Sequence, residues 1–286
     1  MIGFHMMGAL LLLSLLAAAA LYVVRLKSRL ERNAYQERDR LWEWFYGLDW
    51  GDVGTNNFGF APAEGDGPER FQHQMYLELL RLAGPRARAG EHTDLLEISC
   101  GLGGGIAHLV RHWPGPVAAT ALDIAENALA RCRRAYGDIA GLHFVQGSAL
   151  ALPFAGGTFD VVVNVEASHN YGDYPGFFRE VHRVLRPGGL FLYCDSGDPE
   201  QLATVAQAMR QAGLAGEFRD ITGNVVEACR LDSPRRLAVI RERAPWPYSW
   251  LLRKEVRNYA AVEGSRKIEA FRSRARIYWM TCAVRA

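Results

Sequence analysis

The chain has 286 residues, 49% of them hydrophobic and 22% charged, with a net charge of +2 at pH 7. That allows one large domain with extensions around a sizeable core, and it excludes nucleic-acid binding by bulk electrostatics, so no nucleic-acid partner is expected. Cys100, Cys132, Cys194, Cys229 and Cys282 are scattered, form no CxxC pair and read as reduced thiols, so no metal is expected.

Residues 6–24, MMGALLLLSLLAAAALYVV, carry no charge. A run of about 20 apolar residues spans a hydrocarbon core as a helix. No basic residue precedes the run, as one would in a signal peptide cleaved after Ala17–Ala20. Arg25, Lys27, Arg29 and Arg32 follow it, which predicts a single-pass anchor with the rest of the chain in the cytoplasm. Residues 25–48 read as an amphipathic helix ending in Trp42, Trp44, Phe45 and Tyr46. Residues 47–70 are rich in Gly, Asn, Asp and Pro and read as a lid loop. Residues 69–84 are helical again and stop at Gly84-Pro85.

From residue 94, apolar strands alternate with amphipathic helices. The expected strands are DLLEIS, PVAATALDI, LHFVQGSA, TFDVVVNVEA and LFLYCDSG. The expected helices are GGIAHLVRHW, AENALARCRRAYG, YPGFFREVHRVLRPGG and residues 198–213. This order implies an α/β fold, a parallel sheet with helices on both faces. The tail, 231–286, alternates arginines with Trp246, Tyr248, Trp250, Tyr259 and Trp279, which suits either a membrane surface or a charged face over buried rings. IYWMTCAVRA, 277–286, reads as a closing strand.

Gly101, Gly103, Gly104 and Gly105 crowd the turn after the first strand. Glycine there lets a ligand approach the backbone at a helix N-terminus. The dinucleotide pattern GxGxxG fails, because its sixth position is Ile106. Asp123 ends the second strand, where a carboxylate accepts from both ribose hydroxyls. Ser148 and Ala149 fall where an adenine would lie, and Glu97 can reach an amino-acid ammonium. A nucleoside with a methionine tail satisfies all of these, whereas a pyrophosphate would set Glu97 against like charge.

LLEISCGLGGG, ALDIAENALA, GSALALPFAGGTFDVVVNVEASHNY and REVHRVLRPGGLFLY resemble, in order and spacing, the motifs of class I S-adenosylmethionine-dependent methyltransferases over residues 94–195. The resemblance implies a Rossmann-like sheet closed by an antiparallel hairpin, with S-adenosyl-L-methionine along the carboxyl ends of strands one, two and four. It implies Glu97, Gly101 and Gly103 at the methionine end, Asp123 at the ribose, and Ile124, Ser148 and Ala149 at the adenine. Ser99 and Asn164, at the same strand ends, join the cofactor set, as do Gln74 and Phe58 from the upstream segment, Phe58 either stacking on the adenine or lidding the substrate. Ser148 departs from the Asp usual before Ala149, and a hydroxyl is a weaker acceptor. NVEASHNY, NFGFAP, ERFQHQMY and the tail EGSRKIEAFRSRARIYWMTCAVRA look like bacterial methyltransferases of polyketide-derived lipids, the phthiotriolone type, with sterol and tocopherol enzymes more distant. The expected organisation is an anchor at 1–25, helices and lid at 26–90, a core at 91–230, and a segment at 231–286 completing sheet and substrate site.

Methyl transfer to oxygen needs a base near neutral pKa, and His169, just past the fourth strand, is the candidate. Glu166 stands at the same strand end. For carbon methylation of an isoprenoid or sterol-like chain, Glu166 and the face of Tyr171 would instead stabilise a carbocation. His108, His112 and His182 read as helix surface groups. The leading expectation is a membrane-anchored enzyme methylating a hydroxyl of a lipophilic small molecule. A non-catalytic cofactor-binding scaffold is the rival, and the intact glycine turn, Asp123 and His169 speak against it.

Overall fold

The computed structural model describes residues 38–87, 91–243 and 253–286. The expected anchor at 6–24 lies outside them, as do Trp246, Tyr248 and Trp250. Among the described residues no helix is long and apolar enough to cross a membrane. Packing divides the chain into two compact units, Met1–Trp42 and Glu43–Ala286. The expected boundaries at 90 and 230 both fall inside the second.

In chain order the elements are α1 (Arg38–Gly47), α2 (Arg70–Ala83), β1 (Thr93–Ile98), α3 (Gly104–Arg111), β2 (Val117–Asp123), α4 (Glu126–Tyr136), β3 (Leu142–Gln146) and β4 (Phe159–Val165). Then come α5 (Tyr174–Val184), β5 (Leu185–Gly197), α6 (Pro199–Gln211), β6 (Leu214–Ala215), β7 (Arg219–Asp220), α7 (Thr222–Arg243), α8 (Arg253–Tyr259), α9 (Arg266–Arg272) and β8 (Ile277–Arg285). The sheet runs β3-β2-β1-β4-β5-β8-β6, with β7 also on β8. The first five strands are parallel, and β8 is antiparallel to β5, β6 and β7. This is the expected Rossmann-like arrangement with its antiparallel closure.

Alternation sets the two core layers. Leu95, Val161, Val163 and Leu192 face one apolar layer. Leu96, Ile98, Val162 and Phe191 face the other. Every residue of β4 is buried, as its near-continuous apolar run requires in a central parallel strand. Trp279 is 1% exposed within β8, so this tail aromatic is core rather than membrane surface.

One helix boundary differs from expectation. Pro187-Gly188-Gly189 does not end α5; the helix stops at Val184, and β5 already begins at Leu185. Leu185 pairs with Phe159, and the register shifts before Val161 pairs with Leu190. Arg186 fastens that bulge through Asp160 at 2.6 Å and Asp94 at 2.8 Å. α6 begins as expected, because the Asp198 side chain accepts from the Gln201 amide and Gln201 returns a bond to the Asp198 backbone.

Candidate active site

The carboxyl ends of β1, β2, β4 and β5 converge on the glycine turn. Ser99, Gly101 and Gly103 all have left-handed φ, of 60°, 54° and 79°. Asp123 ties the turn to β2: its Oδ2 accepts from Gly101 N and its Oδ1 from Ala125 N, both at 2.9 Å. The Ile124 amide adds a further donor to the same carboxylate. All four glycines make room for the chain itself: a Cβ on Gly101 would meet the Tyr46 hydroxyl, and one on Gly103 the Cys132 sulfur. Gly104 N donates to Gly54 O at 2.8 Å. A Cβ on Gly105 would run into the Tyr76 ring.

Tyr76, on α2, donates its hydroxyl to Glu97 Oε1 at 2.7 Å. Glu97 is 1% exposed, and its Oε2 has no partner among the described residues. Burial pushes the carboxyl up to about 8, against the Tyr76 bond and with help from Asp123. A buried carboxylate with one orphaned oxygen fits an ammonium ligand, and so the methionine end of S-adenosylmethionine.

A polar knot lies beneath the turn. The Ser99 and Tyr171 hydroxyls share a 2.7 Å hydrogen bond, and Asn164 Nδ2 donates to Tyr171 Oη at 2.8 Å and to Ile98 O at 2.9 Å. Asn164 Oδ1 is buried and unpartnered among the described residues. The Tyr171 ring packs edge-on against Phe177 at 4.8 Å. Its hydroxyl therefore ties together the ends of β1 and β4. On the adenine side, Ser148 Oγ accepts from Leu150 N at 3.2 Å, Ala149 is buried, and Ile124 O accepts from Gln146 Nε2.

His169 sits in a short 3-10 turn, Ser168–Asn170, beyond β4. Its ring Nδ1 lies 2.6 Å from Asp195 Oδ1 at the end of β5. Asp195 is 1% exposed and also accepts from the Ser168 hydroxyl and the amides of His169 and Ser196. Burial works against ionising Asp195, but His169 and these donors hold it below the usual carboxylate range. Burial likewise opposes charge on His169, and the facing carboxylate outweighs it, raising His169 above an ordinary histidine. The Asp195 contact assigns the proton to Nδ1, so Nε2, 3.1 Å from Asn170 Nδ2, carries the lone pair.

Glu166, at φ 52°, accepts from Phe58 N at 2.6 Å, and burial pushes it up to about 7. Phe58 thus belongs with Glu166 and with Phe271, 6.2 Å away, rather than with Ser148 and Ala149. Gln74 is not brought to the site. Its amide accepts from Glu64 N and donates to Glu78, two residues round α2 from Tyr76. Sequence reading missed Tyr76 and Asp195. An acid closing an apolar strand is costly unless paired, so Asp195 in LYCDSG was the one available signal. His108 is not a free surface group: it stacks between His73 at 4.2 Å and His112 at 4.1 Å.

Residues 96–193 match the family model for a methyltransferase domain. The fatty-acid O-methyltransferase of Mycolicibacterium smegmatis is 34% identical over 239 residues, covering 83% of this chain and 82% of that protein. Phthiotriol/phenolphthiotriol dimycocerosates methyltransferase 1 of Mycobacterium ulcerans is 32% identical over 245 residues, covering 77% and 83%. In fold, the chain is similar to the geranyl diphosphate C-methyltransferase of Streptomyces coelicolor, solved with S-adenosyl-L-homocysteine, at a TM-score of 0.61 and 16% identity over 87% of this chain and 98% of that one. The chain belongs to the S-adenosylmethionine-dependent methyltransferases, enzymes whose cofactor is S-adenosylmethionine.

Proposed function

We propose that this enzyme methylates a hydroxyl oxygen of a lipophilic small molecule of lipid or polyketide type. The observation that carries the reading is the Asp195–His169 pair at 2.6 Å beside the cofactor turn. When bound, the cofactor supplies a methyl on a sulfonium, open to direct displacement. His169 Nε2 takes the acceptor proton as the new bond forms, and Asp195 holds the ring and compensates the charge it gains. Glu97 Oε2 receives the ammonium, Gly101 and Gly103 admit the methionine end, and Ser99 and Asn164 shape the turn. Asp123 takes the ribose, and Ile124, Ser148 and Ala149 border the adenine.

Relatives named for fatty-acid and phthiotriol lipids support a lipophilic acceptor. Residues 6–24 would hold the enzyme at the membrane that dissolves such a molecule, with the catalytic unit in the cytoplasm. Incubation with cofactor carrying a 13C methyl and a membrane lipid extract tests the chemistry. The expected product shows the methyl carbon of an ether; label on a chain carbon overturns the oxygen reading. Protease access in sealed inside-out vesicles tests the orientation: the region after residue 25 should be cut.

A further inference from the structure

Lys267 stands in the first turn of α9, in the tail expected to complete the sheet and the substrate site, though the sequence singled out no residue of α9. Its Nζ lies over the Phe58 ring at 4.8 Å and over the Tyr259 ring at 5.8 Å. Phe58 is also the residue whose amide holds Glu166 at 2.6 Å. Among the described residues no carboxylate pairs with this ammonium, although Arg272 of the same helix pairs with both Glu263 and Glu269. Lys267 is half-buried, and its charge acts on both Glu166 and His169. Burial pushes Lys267 below the ordinary lysine range. A half-buried cation held by two ring faces, with no ion-pair partner among the described residues, over the residue whose amide holds Glu166, suits an anion that is present only when the site is filled.

The chemistry narrows that anion. An alkoxide is far more basic than an amine and would strip the ammonium of its proton rather than pair with it. A carboxylate needs no base, which would leave the Asp195–His169 pair without a task. A phenol or enol lies between: it needs a proton acceptor, and its anion is matched to an ammonium.

We propose that Lys267 stabilises the oxyanion of the acceptor, and that the acceptor carries an acidic hydroxyl of phenol or enol type on an apolar body. The proposal rests on the hydroxyl reading above. As the O–H bond breaks, its proton passes to His169 Nε2; the O–CH3 bond forms as the S–CH3 bond of the cofactor breaks, and the sulfonium becomes a neutral sulfide. Lys267 keeps its proton throughout, and His169 returns its own to solvent.

The test uses the full chain with S-adenosyl-L-homocysteine and 4-dodecyl-2-nitrophenol, whose phenolate is coloured. Bound to the wild type, the probe should ionise about one to three pH units below its free value, as beside an opposite charge. Lys267→Met should abolish that shift, while Lys267→Arg keeps most of it, with calorimetric affinity for S-adenosyl-L-homocysteine unchanged in both. With S-adenosylmethionine, 4-dodecylphenol should be methylated and dodecanol at least about 100-fold more slowly, consistent with an oxyanion contact. A wild-type probe without a shift, a shift that survives Lys267→Met, or equal turnover of the two acceptors overturns the proposal. If the shift behaves as expected but neither hydroxyl is methylated, the hydroxyl reading falls and the assignment of Lys267 as an anion site stands.

Discussion

Glu97 is a carboxyl that burial holds near pH 8 until a cation reaches its free oxygen. Binding S-adenosyl-L-homocysteine should therefore release a proton, and affinity should weaken by about tenfold per pH unit below 8. Calorimetry in buffers of different ionisation enthalpy reads this directly, and Glu97→Gln should bind more weakly with no proton release. Binding independent of pH from 6 to 8 would take Glu97 out of the ammonium site. His169 gives the opposite kind of signal. Its conjugate acid is stabilised by Asp195, so the neutral base appears only at a pH above that of an ordinary histidine. The log of kcat should accordingly rise with pH along a limb lying above 6.5, the ordinary value. Asp195→Asn removes the opposing charge, so the limb should move to lower pH while its plateau falls. His169→Ala should lose about 10² to 10⁴ in kcat, the usual contribution of a general base. An unmoved limb in Asp195→Asn would separate the pair from the proton transfer.

At the level of elements, the contact between α2 and α3 determines whether the cofactor site exists at all. Gly105 sits where the Tyr76 ring crosses α3, and Tyr76 is what reaches Glu97. A methyl at Gly105 displaces that ring, so Gly105→Ala should cost about 1–3 kcal/mol by overpacking, read by chemical denaturation, and should weaken cofactor binding as well. The same two helices carry His73 and His108, whose rings stack with each other and, from just past α3, with His112. Burial, then the neighbouring histidines and Arg111, lowers His108 to about 4. A depressed histidine binds fewer protons folded than unfolded, so its stabilisation is complete above the unfolded pKa, near 6.5, and is lost as pH falls toward 4. His108→Phe keeps a flat ring in the stack and removes the titration. Its Tm should fall less steeply than the wild type's between pH 6.5 and 4, and parallel curves would show that the stack is not the acid-sensitive element.

Across the whole molecule, the last strand to be made is one of the most heavily used. β8 pairs with β5 at eight positions, from Leu190↔Val284 to Gly197↔Ile277, and carries Trp279 into the core beneath the site. Trp279→Ala should cost about 3–5 kcal/mol, seen as a lower denaturation midpoint, with activity lost in parallel. The parallel strands, the helices between them and the glycine turn were legible in the sequence, because each rests on short-range pattern; the strand order comes from the sheet itself. Apolar runs make buried strands, a glycine cluster makes a turn, and Asp123 lies a fixed distance beyond it. The end of α5 was misread because a Pro-Gly-Gly run signals a helix stop locally, whereas pairing of Leu185 with Phe159 decided the boundary. Gln74 was placed by neighbourhood in sequence, and the rotation of α2 turns it to Glu64 and Glu78 instead; Phe58 was placed by resemblance, and its amide meets Glu166. Asp195 beside His169, Tyr76 on Glu97 and Lys267 over Phe58 are contacts between residues far apart in the chain. The sequence by itself determined the α/β fold class, through local periodicity, and the family and cofactor, through the motifs around the glycine turn that resemble those of the methyltransferases. Only the tertiary structure decided which distant side chains meet, as Asp195 meets His169 and Tyr76 meets Glu97, because long-range pairing of strand ends and helices leaves no periodic trace in the chain.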